Sequence, residues 1–283
     1  MGREPTPASC VAGRSKLGGA IEMTASITLN LTPDVRYVLR IADTCLVHAQ
    51  RLVEWCGHAP VLEEDIALAN LGLDLLGQAR ALLSHAARLE GGGHDEDALA
   101  FLRNEHDYFN LTLVELPLRR GGADFADTQL RCFMVAAWLA PLWQGLSISR
   151  DRELAAIAAK AAKETRYHLE HAGDWVVRLG DGSDESARRM QAALARAGPY
   201  VAELFDDDAD DVAAARSQLG PAASALRAPW LASVHPVFAE ARLTLPADGE
   251  FRSHGRRGRH SEHMGFLLAE MQHLQRAFPG GVW

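Results

Sequence analysis

Side chains recur at alternating intervals of three and four residues between Leu154 and Trp175, and this spacing restricts the fold more than any other feature. The set comprises Leu154, Ile157, Ala161, Glu164, His168, His171 and Trp175. Because 3.6 residues complete one turn of an α-helix, all of them fall on one helix face. A second stripe comprises Leu68, Leu71, Leu75, Ala79, Leu82 and Ala86. Two helices of about thirty residues are typical of a long helical bundle.

Helical patterns also cover most of the remaining chain. Helices are predicted over residues 33–56, 62–90, 124–147, 150–179, 184–205, 209–218, 227–241 and 260–277, with a short helix and a loop over 95–118. The sequence shows neither an alternating strand pattern nor an internal repeat, and its Ala- and Leu-rich composition favours helices. The predicted fold is all-α, a helical bundle over residues 33–283 with additional helices around four long ones.

The first 32 residues differ from the rest of the chain. Residues 1–20 are rich in Gly, Ser, Pro and Ala, and they show neither a helical period nor the apolar run of a signal peptide. We therefore predict a disordered N-terminal extension over residues 1–32. Met23 is an alternative start, in which case residues 1–22 are not translated.

Charge and composition argue against several classes of function. A net charge of −8 is unlike that of a general nucleic-acid binder, which needs a basic face. No stretch reaches the roughly 20 consecutive apolar residues of a membrane span. The four cysteines form no CxxC pair, so we predict no zinc site and expect reduced thiols in a cytoplasmic protein.

A large bundle with long helices raises the question of a di-iron centre. In ferritin-like metal proteins, two helices each supply a Glu and two others each supply an ExxH pair. Ligands three residues apart lie on one helix face and can bind the same metal ions. This sequence has one ExxH pair, Glu270 and His273 in the last predicted helix, which we interpret as a chance match.

The other long helices also depart from the ligand pattern. Asp74 is followed by Gly77 at the position of the expected histidine, and His168 is preceded by Thr165 at the position of the expected glutamate. The third long helix contains no Asp or Glu from residue 128 to residue 150. We interpret Asp74, Glu164 and His168 as vestigial metal-site positions, and we predict that the di-iron ligands are lost and that the chain binds no metal.

Three polar residues, Glu164, His168 and His171, lie on the apolar face of the helix predicted over residues 150–179, and they have two interpretations. Buried polar groups need hydrogen-bond partners, so one is a hydrogen-bonded core cluster with partners such as Asp74, Gln78 or Asp43. The other is a metal site of non-standard composition, which would make the chain a ferritin-like metalloenzyme or oxygenase. We favour the hydrogen-bonded cluster.

Five segments closely resemble the C-subunit family of 1,2-phenylacetyl-CoA epoxidases. They are LVEWCGHAP at 52–60, ALANLGLDLLGQAR at 67–80, KETRYHL at 163–169, GRHSEHMG at 258–265 and LAEMQ at 268–272. The resemblance covers residues 33–283 and rests on long, specific motifs. It implies a ferritin-like fold without a working di-iron centre, and a structural subunit that is not itself catalytic.

The same resemblance implies partners and cofactors. The expected complex converts phenylacetyl-CoA to its ring-1,2-epoxide during aerobic phenylacetate breakdown. Its catalytic A subunit holds the di-iron centre and packs against the C subunit, and a reductase subunit supplies electrons from NADPH through FAD and an iron–sulfur cluster. No cofactor is expected on this chain itself.

Substrate contacts are also carried over from the family. They are expected at Asp107, Tyr108, Phe109 and Asn110, and near Val212, Ala213 and Ala214. The first segment departs from the family pattern at its middle positions. An equally simple interpretation is that Tyr108 and Phe109 pack beneath a loop.

The segment that contains Arg252, Arg256, Arg257 and Arg259 is the most basic part of an acidic chain. Guanidinium groups suit phosphates, so we hypothesise that these arginines contact the CoA phosphates or an acidic face of a partner. The alternative is a solvated loop. Two rival functions remain for the whole chain: a metalloenzyme with its own unusual site, and a homo-oligomeric storage or binding bundle without a partner.

Overall fold

The computed structural model describes residues 26–118, 124–247 and 249–281. Over these ranges the chain forms nine α-helices, joined by turns and short 3₁₀ segments, and it contains no β-strand. The helices are α1 (Pro33–Val53), α2 (Leu62–Glu90), α3 (Glu96–Phe101), α4 (Phe125–Leu146), α5 (Arg152–Gly180), α6 (Asp184–Ala197), α7 (Ala209–Arg216), α8 (Arg227–Glu240) and α9 (Met264–Ala277). The predicted all-α fold is confirmed.

Four long helices form the core as two antiparallel hairpins. Helix α1 packs along α2, α4 packs along α5, and α2 lies against α5 so that the two hairpins are joined. Gly72 of α2 faces α1, because a Cβ atom there would be in ordinary van der Waals contact, at 3.7 Å, with both the Ala49 carbonyl oxygen and the Leu52 Cβ. This arrangement is a ferritin-like bundle, as predicted.

The sequence sets where the long helices begin and end. The Thr32 hydroxyl caps α1 by accepting a hydrogen bond from the Val35 N–H, and Pro33 occupies the first turn. Helix α2 ends at Gly91, whose φ of 72° is in the left-handed region that favours glycine. The Asp151 carboxylate caps α5 by accepting hydrogen bonds from the Glu153 and Leu154 N–H groups.

Helix α4 is the central helix of the bundle and is buried nearly all round. It contacts α5, α6 and α8, which leaves little of its surface for solvent. Two buried indole groups bond across its surface. Trp138 Nε1 of α4 donates to the Leu204 carbonyl at 3.0 Å, and Trp230 Nε1 of α8 donates to the Met134 carbonyl of α4 at 3.0 Å. A helix with so little solvent-exposed surface fits its apolar sequence.

Residues 26–32 differ from the predicted disordered extension. Ile27, Leu29 and Leu31 pack against the core, and the Asn30 N–H donates to the Glu90 carboxylate at 2.9 Å. Apolar residues at every second position indicate an extended segment with one buried side, so the signal was present in the sequence. Residues 1–25, for which disorder was also predicted, lie outside the described residues.

The predicted helix over residues 184–205 is shorter than expected. Helix α6 ends at Ala197, and Gly198–Phe205 continues as a 3₁₀ segment. Pro199 has no N–H to donate to a preceding carbonyl, which breaks the α-helical hydrogen-bond pattern at this position.

Helix α2 is the one described helix whose length and apolar composition would suffice to cross a membrane. One side of it packs in the bundle through Leu68, Leu71, Leu75 and Leu82, which accounts for part of its apolar character. Only 44% of its most apolar stretch is buried, so this helix also presents apolar side chains to the outside.

Candidate functional site

Hydrogen bonds between polar side chains join α2 to α5 along most of their shared length. These four contacts, which we call the polar seam, are Glu64–His171 at 3.1 Å, Asp74–His168 at 3.0 Å, Gln78–Glu164 at 3.0 Å and His85–Asp151 at 2.9 Å. The predicted hydrogen-bonded cluster of Glu164, His168 and His171 is therefore present, with Asp74 and Gln78 among its partners. The sequence did not indicate Glu64 as a further partner.

His168 lies at the centre of the polar seam and is almost fully buried. Burial lowers the pKa of its imidazole, although hydrogen bonding to the Asp74 carboxylate opposes this shift. A carboxylate can only accept, so the His168 Nε2–H is the donor in this pair. The Asp74 side chain is 41% exposed, so the pair runs from the core to the surface.

A di-iron centre does not fit the residues at this position. The carboxylates of Asp74 and Glu164 are engaged with His168 and with the Gln78 amide, and they do not converge with further ligands. Thr165, at the position of the ExxH glutamate, is fully buried, and its hydroxyl has no hydrogen-bond partner among the described residues. Among the residues that the structure describes, no group of three or more His, Cys, Asp or Glu is placed to share a metal ion.

A buried cation on α4 makes the core still less suitable for metal ions. Arg131 is buried there and donates to the carbonyl oxygens of Leu116 and Pro117. Burial, together with the charge of Arg131 and with His168, lowers the pKa of the buried His48 to about 3. A positive side chain at this depth repels a second cation, whereas a di-iron protein needs carboxylates from the corresponding helix.

The first predicted substrate segment is packed inside the protein. The Tyr108 hydroxyl donates to the Ala100 carbonyl at 2.5 Å, and the Asn110 amide donates to the Glu115 carboxylate at 2.9 Å. Phe109 is also buried, whereas Asp107 is half-buried and caps a 3₁₀ turn. The side chains of Tyr108, Phe109 and Asn110 therefore have structural partners of their own.

The second predicted segment lies on α7, next to the first. Val212 is exposed, Ala213 is half-buried and Ala214 is buried. Arg36 connects the two segments, because its guanidinium lies 5.7 Å from the Phe109 ring centroid and 3.1 Å from the Asp210 carboxylate. The structure thus brings both predicted segments to the same end of α1.

The predicted arginine patch is divided between the interior and the surface. Arg256 is buried, and its guanidinium donates to the Asp211 carboxylate at 2.6 Å and to the Asp206 carbonyl at 3.0 Å. This contradicts its predicted role as an external phosphate or partner contact. Arg257 is half-exposed and pairs with Asp206 at 2.9 Å, whereas Arg259 is exposed.

The acidic run at residues 206–211 neutralises buried arginines. Arg40, on α1, is almost fully buried and pairs with Asp208, Asp210 and Asp211. Partial burial opposes ionisation of Asp208, but Arg40 outweighs it and holds the pKa of that carboxyl well below its usual range. The run therefore attaches α7 to α1.

Comparison with known proteins shows the family of this chain. The family model described as "Phenylacetic acid catabolic protein" matches residues 21–283. The chain belongs to this family. The C subunit of the 1,2-phenylacetyl-CoA epoxidase of Escherichia coli (strain K12) is 51% identical over 247 residues, which cover 87% of this chain and 98% of that protein. The resemblance predicted from five sequence segments is confirmed.

The sequence analysis did not predict two buried ion pairs in this member of the phenylacetic acid catabolic family. Asp43 and Arg103 form a pair with no exposed surface, and so do Glu115 and His260. Although burial opposes the charged form, the Glu115 carboxylate raises the pKa of His260. Because Asp43 pairs with Arg103, it is not a hydrogen-bond partner of His168, which the sequence analysis had considered. No local pattern indicates these pairs, because 60 and 145 residues separate their members.

Proposed function

We propose that this chain is a non-catalytic structural subunit of a multicomponent phenylacetyl-CoA 1,2-epoxidase in aerobic phenylacetate catabolism. Its role is to support the di-iron A subunit of the complex. Family membership and the 51% identity to the C subunit of an epoxidase support the assignment to such a complex. The Asp74–His168 pair supports the proposal that the chain is non-catalytic. These two side chains, at the predicted vestigial ligand positions, are hydrogen-bonded to each other.

The chemistry of the complex is divided between chains in this proposal. Oxygen activation belongs to the iron of the A subunit, and electrons come from NADPH through the FAD and iron–sulfur cluster of the reductase. This chain supplies no redox group of its own. Its fixed helices, held by the polar seam and by buried ion pairs, provide a rigid surface for assembly. We expect the complex to be cytoplasmic.

The outer side of α2 is the surface best suited to the A subunit. Leu62, Ile66, Leu73 and Leu76 are exposed along this side, and Leu73 is 63% exposed. We call these four residues the apolar stripe. Tyr167 of α5 is a further exposed ring, stacked on His171 of the polar seam. A contiguous apolar surface of this kind is typical of protein interfaces.

The contact with phenylacetyl-CoA is proposed for the end of α1 where the two predicted segments meet. Val212 and Ala213 are the accessible members there, whereas Tyr108, Phe109 and Asn110 shape this end of the bundle from inside. Arg36 lies between the segments with its side chain 35% exposed, and we propose it as the charged contact for a ligand at this place.

Iron content and reconstitution test the proposed function. The chain is expressed alone in iron-supplemented cells, and its iron is measured by elemental analysis. We expect well below one iron per chain and no epoxidation, with activity appearing only when the A subunit and the reductase are added. About two irons per chain would instead support the metalloenzyme interpretation, in which Asp74, Glu164 and His168 become ligands.

Co-purification separates the proposal from the remaining rival. A tagged chain is expressed together with an untagged A subunit, and the eluted complex is analysed for both. A homo-oligomeric bundle would elute with itself alone, and that result would contradict a structural role in the epoxidase.

A further inference from the structure

A groove of about 380 Å³ opens between the 3₁₀ segment before α7 and the chain leading into α9. Its lining includes Thr112, Tyr200, Phe251, Arg252, Arg259 and Glu262. A volume of this size is within the range of small-molecule sites, roughly 300–1,000 Å³. The groove is separate from the polar seam, and its floor adjoins the first predicted substrate segment, since His260 Nε2 lies 2.9 Å from the Tyr108 carbonyl oxygen.

The groove has an excess of positive charge in an otherwise acidic protein. Arg252 and Arg259 are both exposed, and neither forms an ion pair with a residue that the structure describes. Among the residues that the structure describes, the acceptors of Arg252 are the carbonyl oxygens of Gly249 and Phe251. The single acidic residue of the lining, Glu262, has a side chain that is 86% exposed, so the two guanidinium groups remain available to an anion.

Aromatic rings lie beside these arginines. Phe251 is half-exposed, and its ring meets the Tyr200 ring edge to face with the centroids 5.4 Å apart. Exposed aromatic rings next to arginines favour a ligand that joins a phosphate to a planar base, because the base can stack while the phosphate is paired. A ligand without a ring would leave the aromatic surface unused.

The floor of the groove is held by buried hydrogen bonds. The Ser253 hydroxyl donates to the Glu203 carboxylate at 2.7 Å, the Gly255 N–H donates to the Thr112 hydroxyl at 3.0 Å, and His260 lies 2.7 Å from the Glu115 carboxylate. A Cβ atom on Gly255 would lie 2.5 Å from the Asn110 carbonyl oxygen, so this turn fits closely against the core. The groove is therefore preformed, which lowers the entropy cost of binding.

We propose that this groove binds a phosphorylated nucleoside. The phosphate lies between Arg252 and Arg259, and the base packs against Phe251 and Tyr200. Two sources share this chemistry: the adenosine 3′-phosphate end of coenzyme A, and a free nucleotide. Coenzyme A as the ligand rests on the proposed function, whereas the binding of a phosphorylated nucleoside in the groove does not. This site keeps two arginines of the predicted patch, Arg252 and Arg259, and leaves out the other two, because Arg256 is committed to Asp211 and Arg257 pairs with Asp206.

Isothermal titration calorimetry on the full chain tests the site with adenosine 3′,5′-bisphosphate as the probe. We expect saturable binding that weakens about tenfold or more in the double variant Arg252→Ala/Arg259→Ala, because two charge-assisted contacts are lost. The double variant Arg188→Ala/Arg189→Ala removes the same charge from exposed positions on α6 and should bind as the unaltered chain does. Equal weakening in both variants would overturn the proposal.

Further probes examine the aromatic part of the site and the source of the ligand. Phe251→Ala should weaken binding of the bisphosphate but not that of inorganic phosphate. If inorganic phosphate binds as tightly as the bisphosphate, or if the bisphosphate fails to bind at millimolar concentration, the proposal is wrong. Tighter binding of coenzyme A than of AMP would support the coenzyme as the source, and equal binding would support a free nucleotide.

The same variants keep this inference distinct from the proposed function. Assembly with the A subunit is measured by co-purification for the unaltered chain and for Arg252→Ala/Arg259→Ala. If the unaltered chain assembles normally but binds no nucleotide, the proposal for the groove is overturned and the proposed function is not. Failure of the unaltered chain to assemble would contradict the proposed function, whatever the calorimetry shows.

Discussion

His168 Nε2 lies 3.0 Å from Asp74 Oδ2, so the imidazole and the carboxylate at two positions that we predict to be vestigial metal-ligand positions are bonded to each other. One partner is almost fully buried and the other is partly exposed. Such a pair satisfies a polar group that would otherwise be unpaired in the core, and it links α2 to α5 without a metal. The consequence is a bundle whose stability should be independent of iron.

Replacing Asp74 with asparagine should weaken the polar seam only slightly. The amide can still accept from the His168 Nε2–H, and the partly exposed carboxylate contributes little as a charge. We expect a loss of about 1 kcal/mol in the free energy of unfolding, measured by urea denaturation. Asp174→Asn, at an exposed position on α5, is the matched control and should leave the unfolding midpoint unchanged. Equal effects of the two changes would show that the negative charge of Asp74 contributes nothing to stability.

Replacing Asp43 with alanine should destabilise the chain much more. Its carboxylate neutralises Arg103 and accepts the Phe109 N–H at 2.9 Å, and the Asp43 and Arg103 side chains have no exposed surface. Removing one partner leaves an uncompensated buried charge, which costs about 3–5 kcal/mol. Chemical denaturation of Asp43→Ala measures this cost, with Glu185→Gln at an exposed ion pair as the control. A loss as small as that of the control would contradict the structural role of the pair.

His48 should make the protein less stable in mild acid. Its pKa is lowered to about 3, first by burial and then by Arg131 and His168, whereas an unfolded histidine titrates near pH 6.5. The unfolded chain therefore binds the extra proton as the pH falls below about 6.5, and stability is lost progressively from there towards pH 3.

The change His48→Gln should remove this part of the pH dependence. The slope contributed by one such group is about 1.4 kcal/mol per pH unit, so the variant should show a flatter curve between pH 6 and pH 4.5 in chemical denaturation. His235→Gln, at an exposed position, should leave the slope unchanged. Identical slopes for the unaltered chain and His48→Gln would contradict a neutral buried imidazole.

Polar substitutions in the apolar stripe should impair assembly without unfolding the chain. Leu73→Ser and Leu76→Ser alter exposed side chains, so the unfolding midpoint should change little. Binding of the A subunit, measured by surface plasmon resonance, should weaken about tenfold or more in the double variant. Ile148→Ser removes another exposed apolar side chain away from the stripe and should bind normally. Unaltered binding of the double variant would place the interface elsewhere.

The sequence by itself determined the helices and their buried faces. The intervals of three and four residues along α2 and α5 predicted both helices within one or two residues, since helical periodicity is a local property. The same periodicity placed Glu164, His168 and His171 on the buried side of α5. The sequence also showed directly that residues 128–150 contain no Asp or Glu and that Gly77 stands three residues after Asp74, because both facts depend only on residue type.

Only the tertiary structure decided which polar groups meet. Arg256 appeared to be part of a basic surface, but it is buried because Asp211, 45 residues earlier, lies within 2.6 Å. Asp43 pairs with Arg103, not with His168, and Tyr108 packs against Gln272 of the last helix. Such contacts join residues far apart in the chain, and their partners are set by how whole helices pack. Periodicity shows that a side chain is buried, whereas packing determines what it bonds to.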